Sequence, residues 1–174
     1  MARTRADLMS YLEDLGIETK TVDHPPLYTV EQSQALRGEI AGAHTKNLFV
    51  KDKKGRYFLL TVGEEAEVDL KSVHQTIGAS GRVSFGKPEA LMDLLGVQPG
   101  AVTALGVIND VGGLVTLVLD AALMQNEIVN CHPLTNEATT TIANRDLIRF
   151  AEATGHAPLV LNLAAASPHD VGLD

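Results

Sequence analysis

The run Ala43-His44-Thr45-Lys46-Asn47-Leu48-Phe49-Val50, with the residues that follow it, restricts the fold more than any other stretch of the chain. Aromatic and β-branched residues at this density favour a pleated, half-buried strand. The chain then turns through Asp52-Lys53-Lys54-Gly55 into Tyr57-Phe58-Leu59-Leu60-Thr61-Val62, a second apolar run. Two such runs joined by a short turn containing glycine predict a β-hairpin. Strand alternation puts His44, Lys46, Leu48 and Val50 on one face, and Thr45, Asn47 and Phe49 on the other. Lys46 therefore shares a face with apolar residues, and a lysine is almost never fully buried without a partner. That partner is either a protein carboxylate or an anionic ligand such as phosphate.

The remaining pattern sets the fold class. Leu8, Leu12 and Leu15 predict a helix over 4–15, ended by Gly16. A strand is expected over 18–22, and His24-Pro25-Pro26 breaks the chain after it. Thr29 and Gln32 fit a capping box opening a short helix to about Leu36. A helix is expected over 69–77, a short strand over 83–85, and a helix from Pro88 to Leu95. Val102 to Ile108 and Leu114 to Leu119 read as a second hairpin across Asn109-Asp110-Val111-Gly112-Gly113. A helical turn over 121–125 and short strands over 128–129 and 139–142 follow. Asn144 suits the cap of a helix to about Thr154, and a last strand covers 158–162. Hairpins mixed with scattered helices, without a regular βα repeat, predict an α+β fold: a mixed, mostly antiparallel sheet flanked by helices. A chain of 174 residues fits one domain, placed at 1–163, with a loose tail over 164–174.

Charge and motif content exclude several function classes. Residues 1–87 hold twelve Lys/Arg and twelve Asp/Glu; residues 88–174 hold two and ten, so the second half carries the whole net charge of −8. That balance argues against broad coating of duplex DNA. The main basic cluster is Lys51, Lys53, Lys54 and Arg56, which also reads as an ordinary solvated turn. No apolar run reaches the length of a membrane span, and Met1 to Arg5 does not open a signal peptide. A single cysteine, Cys131, excludes an internal disulfide and fits a reducing cytoplasm. There is no G-x-S-x-G elbow, no P-loop and no G-x-G-x-x-G fingerprint, and the six histidines form no H-x-H or H-x-x-x-H pair. No metal site and no cofactor are expected. Cys131 and His132 are adjacent, so in a strand they point to opposite faces and do not form a thiol–imidazole pair.

Three segments remain. They are His44 to Phe49, Leu95-Gly96-Val97-Gln98-Pro99-Gly100-Ala101-Val102-Thr103-Ala104-Leu105, and Asn130-Cys131-His132-Pro133-Leu134-Thr135-Asn136-Glu137-Ala138-Thr139-Thr140. In this order they resemble the freestanding aminoacyl-tRNA editing domains related to the editing insertion of bacterial prolyl-tRNA synthetase. The likeness is nearest to the branch that deacylates alanyl-tRNA(Pro), and it covers about residues 5–163.

The resemblance implies hydrolysis of the ester between an amino acid and the 3′-terminal ribose of tRNA. Lys46 matches the family lysine that holds the phosphate of the terminal adenosine. Gly100, Ala101, Val102, Thr103 and Ala104 match a G-x-x-x-P loop whose amides face the ester, with Ala104 standing where the family usually has Pro. That exchange puts the local backbone geometry in question. His132 matches the histidine beside the aminoacyl pocket, while Asn47, His44 and Asn136 are further candidates for substrate contact. Leu27, Val30 and Ile40 are candidate pocket walls. The implied partner is the acceptor end of tRNA(Pro), with prolyl-tRNA synthetase as a second candidate. Two other readings stay open: a nucleic-acid-binding module without catalysis, and an inactive homologue that binds a small ligand or protein. The catalytic reading expects Lys46, the Gly100–Ala104 segment and His132 to line one pocket.

Overall fold

A computed structural model describes residues 2–26, 35 and 40–164. Of the helix expected at Thr29 to Leu36 only Ala35 is described, and it is helical; the wall candidates Leu27 and Val30 and the tail over 165–174 lie outside the described residues. The first helix, α1 (Arg5–Asp14), starts at a capping box. The Asp7 carboxylate accepts from the Thr4 amide at 2.8 Å, and the Thr4 hydroxyl accepts from the Asp7 amide. Strand β1 (Thr19–Asp23) follows, and then the expected hairpin, β2 (Ala43–Lys51) and β3 (Tyr57–Gly63). These two strands pair antiparallel from Thr45 opposite Gly63 to Lys51 opposite Tyr57.

Helix α2 is short, Val73–Ile77. Its predicted first turn is taken up by Asp69, whose carboxylate accepts from the Lys71 amide and the Ser72 hydroxyl. Such local side-chain bonds compete with helix formation. Strand β4 (Ser84–Phe85) and helix α3 (Pro88–Leu95) stand where the sequence places them.

The second predicted hairpin does not form. Residues Ala104–Asn109 make a 3₁₀ helix, capped by the Thr103 hydroxyl accepting from the Leu105 amide at 3.2 Å. Residues 104 to 108 are all buried, so the period-2 alternation of a half-buried strand is missing. Gly106 lies against α3, where an added Cβ would come within 3.2 Å of Leu95 Cβ. A short, wholly apolar run does not by its composition distinguish a buried strand from a buried helical turn. The strand after it, β5 (Val115–Asp120), pairs parallel with β3 and with β8 (Leu159–Leu161). Strands β6 (Ile128–Cys131) and β7 (Ala138–Ala143) pair antiparallel, and β7 also pairs with β1. Helix α4 (Asn144–Ala153) begins one residue earlier than Asn144 as a cap requires: Ala143 is the cap, and Asn144 donates to the Met124 carbonyl at 2.8 Å.

The sheet order is β1-β7-β6-β2-β3-β5-β8, with β4 on the side of β2. Four pairings are antiparallel and three parallel, so the sheet is mixed and mostly antiparallel, with helices outside it. One face carries the larger core, where Leu8 and Leu12 of α1, Leu91 and Leu95 of α3 and Leu147 and Phe150 of α4 meet Phe49, Leu59 and Leu117. The other face packs Val50, Phe58, Leu60, Val62 and Val118 against Val73 and Ile77 of α2. Burying a Leu or Phe side chain stabilises by about 1.5–3 kcal/mol, which fixes which face of β2 looks which way. A buried pair, His156 Nε2 to Asp110 Oδ2 at 2.8 Å, ties the end of α4 to the turn before β5. That Asp110 also accepts from the Leu114 and Val115 amides.

Candidate functional site

Strand β2 joins the two halves of the sheet. Its first residues pair with β6 (Ala43 opposite Val129, His44 opposite Asn130), and its last with β4 (Val50 opposite Phe85, Lys51 opposite Ser84). Between them, Thr45 to Phe49 have a strand neighbour only in β3. The loop that follows α3 approaches this interruption: Asn47 Nδ2 donates to the Val102 carbonyl at 3.2 Å. The Thr61 hydroxyl donates to Asn47 Oδ1 at 2.6 Å, which orients the amide. Asn47 therefore stands on the larger-core face and holds the Gly100–Ala104 segment by its backbone.

Lys46 is the second residue of the interruption, on the opposite face, half-buried and opposite the fully buried Val62. No ion pair among the described residues involves Lys46. His44 shares its face, and its Nε2 lies 3.4 Å from the Ile40 carbonyl, so buried Ile40 is next to the strand start.

Gly100 and Ala101 stand in a cavity of about 310 Å³, with Gln98 beside them and Leu134, Thr135 and Asn136 opposite. A Cβ on Gly100 would lie 3.3 Å from Asn136 Nδ2, tighter than ordinary contact, so glycine lets the two loops close up. Leu134 has φ 66°, the left-handed region that branched or bulky residues rarely occupy. Thr103 and Ala104 are fully buried, and Ala104 is the first residue of the 3₁₀ helix. Proline is well accepted at such a first position. The backbone at Ala104 thus has a form that a proline would also adopt.

His132 follows β6 and is half-buried. Its Nδ1 lies 3.4 Å from the Ala138 carbonyl, so Nδ1 carries the hydrogen and Nε2 is left as an acceptor. Burial holds the imidazole below its usual 6.5, although the Ala138 carbonyl pulls the other way; the charge of His24 lowers it further and that of Glu64 raises it. A neutral ring with a basic Nε2 is the form this site maintains near pH 7. The Cys131 thiol next to it is fully buried and pushed up to about 12 by that burial, so it is no nucleophile.

The structure therefore brings Gly100, Ala101 and Asn136 together in one cavity and joins Asn47 to Val102. Lys46, His44 and His132 lie on the other face of β2. Neither the cavity at Gly100 nor the one lined by Gly42, His44, Glu64 and Glu65 holds Lys46, Gly100 and His132 together. Two neighbours of His132 escaped sequence reasoning. His24 donates or accepts at Thr139 Oγ1 through Nε2 at 2.8 Å, and Glu64 donates its amide to the His44 carbonyl. Only the pairing of β1 with β7 and of β2 with β3 puts them there, and no local signal reports it.

The sequence profile of the aminoacyl-tRNA editing domain matches residues 24–150, most of the chain and all three segments above. The chain belongs to the aminoacyl-tRNA editing domain family. Mouse prolyl-tRNA synthetase associated domain-containing protein 1 is 38% identical over 162 residues, covering 91% of this chain and 95% of that protein. The prolyl-tRNA editing protein ProX of Acetoanaerobium sticklandii is 32% identical over 150 residues, covering 86% of this chain and 91% of that one. Among solved structures, one described as a candidate trans-editing enzyme for prolyl tRNA synthetase superposes with a TM-score of 0.69. It is 23% identical, covers 93% of this chain and 98% of that chain, and shows a shared fold. In the family setting, the α+β sheet and the order of the three segments agree with an editing domain. No helix among the described residues is long and apolar enough to cross a membrane.

Proposed function

We propose that this chain is a cytoplasmic trans-editing hydrolase that deacylates mischarged tRNA, with alanyl-tRNA(Pro) as its main substrate. Lys46 carries the reading: it is a half-buried ammonium with no carboxylate partner among the described residues, set at the interruption of the sheet. A cation placed this way gains most from an anion that arrives with the substrate, and the terminal adenosine phosphate is such an anion.

The chemistry needs no protein nucleophile. Water attacks the ester carbonyl, the ester C–O bond breaks, and the ribose oxygen leaves as a hydroxyl after taking a proton. The neighbouring 2′-hydroxyl of the substrate assists the water. The Gly100–Thr103 segment, which Asn47 ties to the open edge of β2 next to Lys46, lends its amides to the tetrahedral oxyanion across that edge, where both faces of the strand meet. The family's proline at the place of Ala104 has no N–H, so that position supplies no required donor. His132, neutral with Nε2 free to accept, shapes the aminoacyl pocket and orders the water. Lys46 fixes the ester in place, and orientation of this sort can supply several of the ~7–11 kcal/mol available to well-positioned reactions.

Selectivity follows from size. A missing methylene is worth only ~1–3 kcal/mol to a synthetic site, so a prolyl site admits alanine. A smaller second pocket admits alanine and excludes proline, with Ile40 as one wall. The test is a deacylation panel with tRNA(Pro) charged with Ala, Cys, Ser or Pro. Rapid release of alanine with prolyl-tRNA spared is expected; release of none of the four would reject the hydrolase reading.

A further inference from the structure

Resting on the proposed editing reaction, we infer that the corner formed by the β2–β3 turn and β4 is the docking surface for the phosphate backbone of the tRNA acceptor end, with Phe85 as a platform for one base. The charge distribution is the first support. Six of the 14 basic residues, Lys51, Lys53, Lys54, Arg56, Arg82 and Lys87, fall within the turn and the β4 segment of a chain whose net charge is −8. Pairing of Lys51 with Ser84 brings the two segments side by side. Lys53, Lys54, Arg56, Arg82 and Lys87 are exposed and Lys51 is half-buried.

The carboxylate inside this corner is already used. Buried Asp52 accepts from the amides of Lys54, Arg56 and Ser80 and from Arg56 Nε at 2.9 Å. It neutralises Arg56 and leaves the lysines uncompensated. Asp69 lies close enough to Lys71 and Arg82 to feel both charges, so Arg82 is a weaker contributor. The corner is also rigid: the Lys53 amide donates to the Ser80 carbonyl, and the Lys53 stem lies directly over Gly81. Cations on a fixed turn lose less freedom when a phosphate binds.

Phe85 is the second, independent support. It is 59% exposed on β4 and pairs with Val50, so it stands on the same sheet face as Lys46. An exposed aromatic in a segment flanked by the exposed cations Arg82 and Lys87 is what single-stranded nucleic acid uses, since bases stack on aromatic rings while phosphates meet cations. On that face, strand β2 runs from the phosphate-holding Lys46 to Val50 opposite Phe85, four residues and about 13 Å at the rise of a strand. A few nucleotides upstream of the terminal adenosine cover that span.

The test compares the wild type with the triple variant Lys51→Ala, Lys53→Ala, Lys54→Ala and with Phe85→Ala, each checked for unchanged thermal unfolding. Binding of a tRNA(Pro) transcript is measured by anisotropy between 50 and 200 mM salt, roughly the range in which phosphate contacts tell. The triple variant should lose about 2–3 from the slope of log K against log salt, about 1 per lysine. Its KM for alanyl-tRNA(Pro) should rise at least ~10-fold with kcat unchanged. Phe85→Ala should raise KM without altering the salt slope, and Phe85→Trp should restore it. Hydrolysis of 3′-O-alanyl-adenosine 5′-phosphate, which lacks the upstream nucleotides, should be the same for all. Wild-type KM and salt slope in both variants would overturn the docking surface while leaving the editing reaction standing. Failure of the editing reaction reads differently: the wild type then hydrolyses neither substrate, and the salt slopes still decide the surface.

Discussion

Asn47 donates its side-chain amide to the Val102 carbonyl at 3.2 Å, so strand β2 positions the Gly100–Ala104 loop through a single side chain. The Thr61 hydroxyl, donating to Asn47 Oδ1, decides which end of the amide faces the loop. Thr61 is fully buried. Removing Asn47 strands its hydroxyl and the Val102 carbonyl, at about 1–3 kcal/mol for a buried group left unsatisfied. Asn47→Ala should therefore lower Tm by about 2–12 °C. Asn47→Asp keeps the acceptor for Thr61, loses the donor to the loop and sets a carboxylate oxygen against the Val102 carbonyl. It should lower kcat for deacylation more than it lowers Tm. Equal kcat for Asn47→Asp and wild type would separate the loop from the chemistry.

Lys46→Ala should act on the reaction and not on the fold. Its ammonium makes no ion pair among the described residues, so its loss breaks none of the native bonds described. A charge-assisted contact to phosphate is worth about 1.5–3 kcal/mol, or about 10- to 100-fold in kcat/KM. Unfolding curves and deacylation of alanyl-tRNA(Pro) measured on the same preparation give both halves. A variant with full activity would remove Lys46 from substrate binding.

His132 sets an expected pH profile. Burial favours the neutral ring, so its protonation lies below the ordinary 6.5. Activity should then stay level through neutral pH and fall only on the acidic side of 6.5, and His132→Gln should flatten that acidic limb. The linkage has the same sign: below about pH 6.5 the unfolded chain takes up the proton before the folded one, so stability also falls as pH drops. A limb centred above 6.5, or one unchanged in the glutamine variant, would assign the titration to another group.

Local chemistry was readable from the residues, and distant pairing was not. The stop of α1 at Gly16, the Asp52–Gly55 turn and Pro88 at the head of α3 each act within four residues, and each stands where its sequence signal puts it. The segment 102–108 misled because uniform burial erases the alternation that marks a strand. The parallel pairing of β5 with β3 and β8 joins residues more than forty positions apart. At the site, alternation along β2 correctly separated the faces of Lys46 and Asn47. It gave no hint of Thr61 as the orienting hydroxyl, of His24 beside His132, or of Asn136 against Gly100, since each depends on a register that no single segment specifies.

Asp52 makes the basic turn sensitive to acid. Burial works to raise its carboxyl, and four donors from Ser80, Arg56 and Lys54 outweigh that, holding it at about 2. A carboxyl depressed on folding contributes its stability above the unfolded value of about 3.9 and loses it as pH falls through the folded value. The gap in Tm between wild type and Asp52→Asn should thus be full at pH 5 and shrink between about pH 4 and 2. A gap that stayed constant over that range would mean that the turn is held by its backbone bonds alone.

Ala104→Pro tests the one place where the loop departs from the family pattern. Ala104 opens a 3₁₀ helix behind the extended cap Thr103, the position at which proline is best accepted. Its side chain is fully buried, so the added ring has to fit the contacts Ala104 now makes. Where the native conformation suits proline, the exchange stabilises by about 0.4–1 kcal/mol, mostly by restricting the unfolded chain. Tm should rise by about 1–4 °C. On the proposed mechanism the oxyanion donors are the Gly100–Thr103 amides, so kcat should hold or rise as the loop stiffens. A fall in kcat with a raised Tm would instead make the Ala104 amide a donor in this chain, and the loss of the family's proline would then be functional.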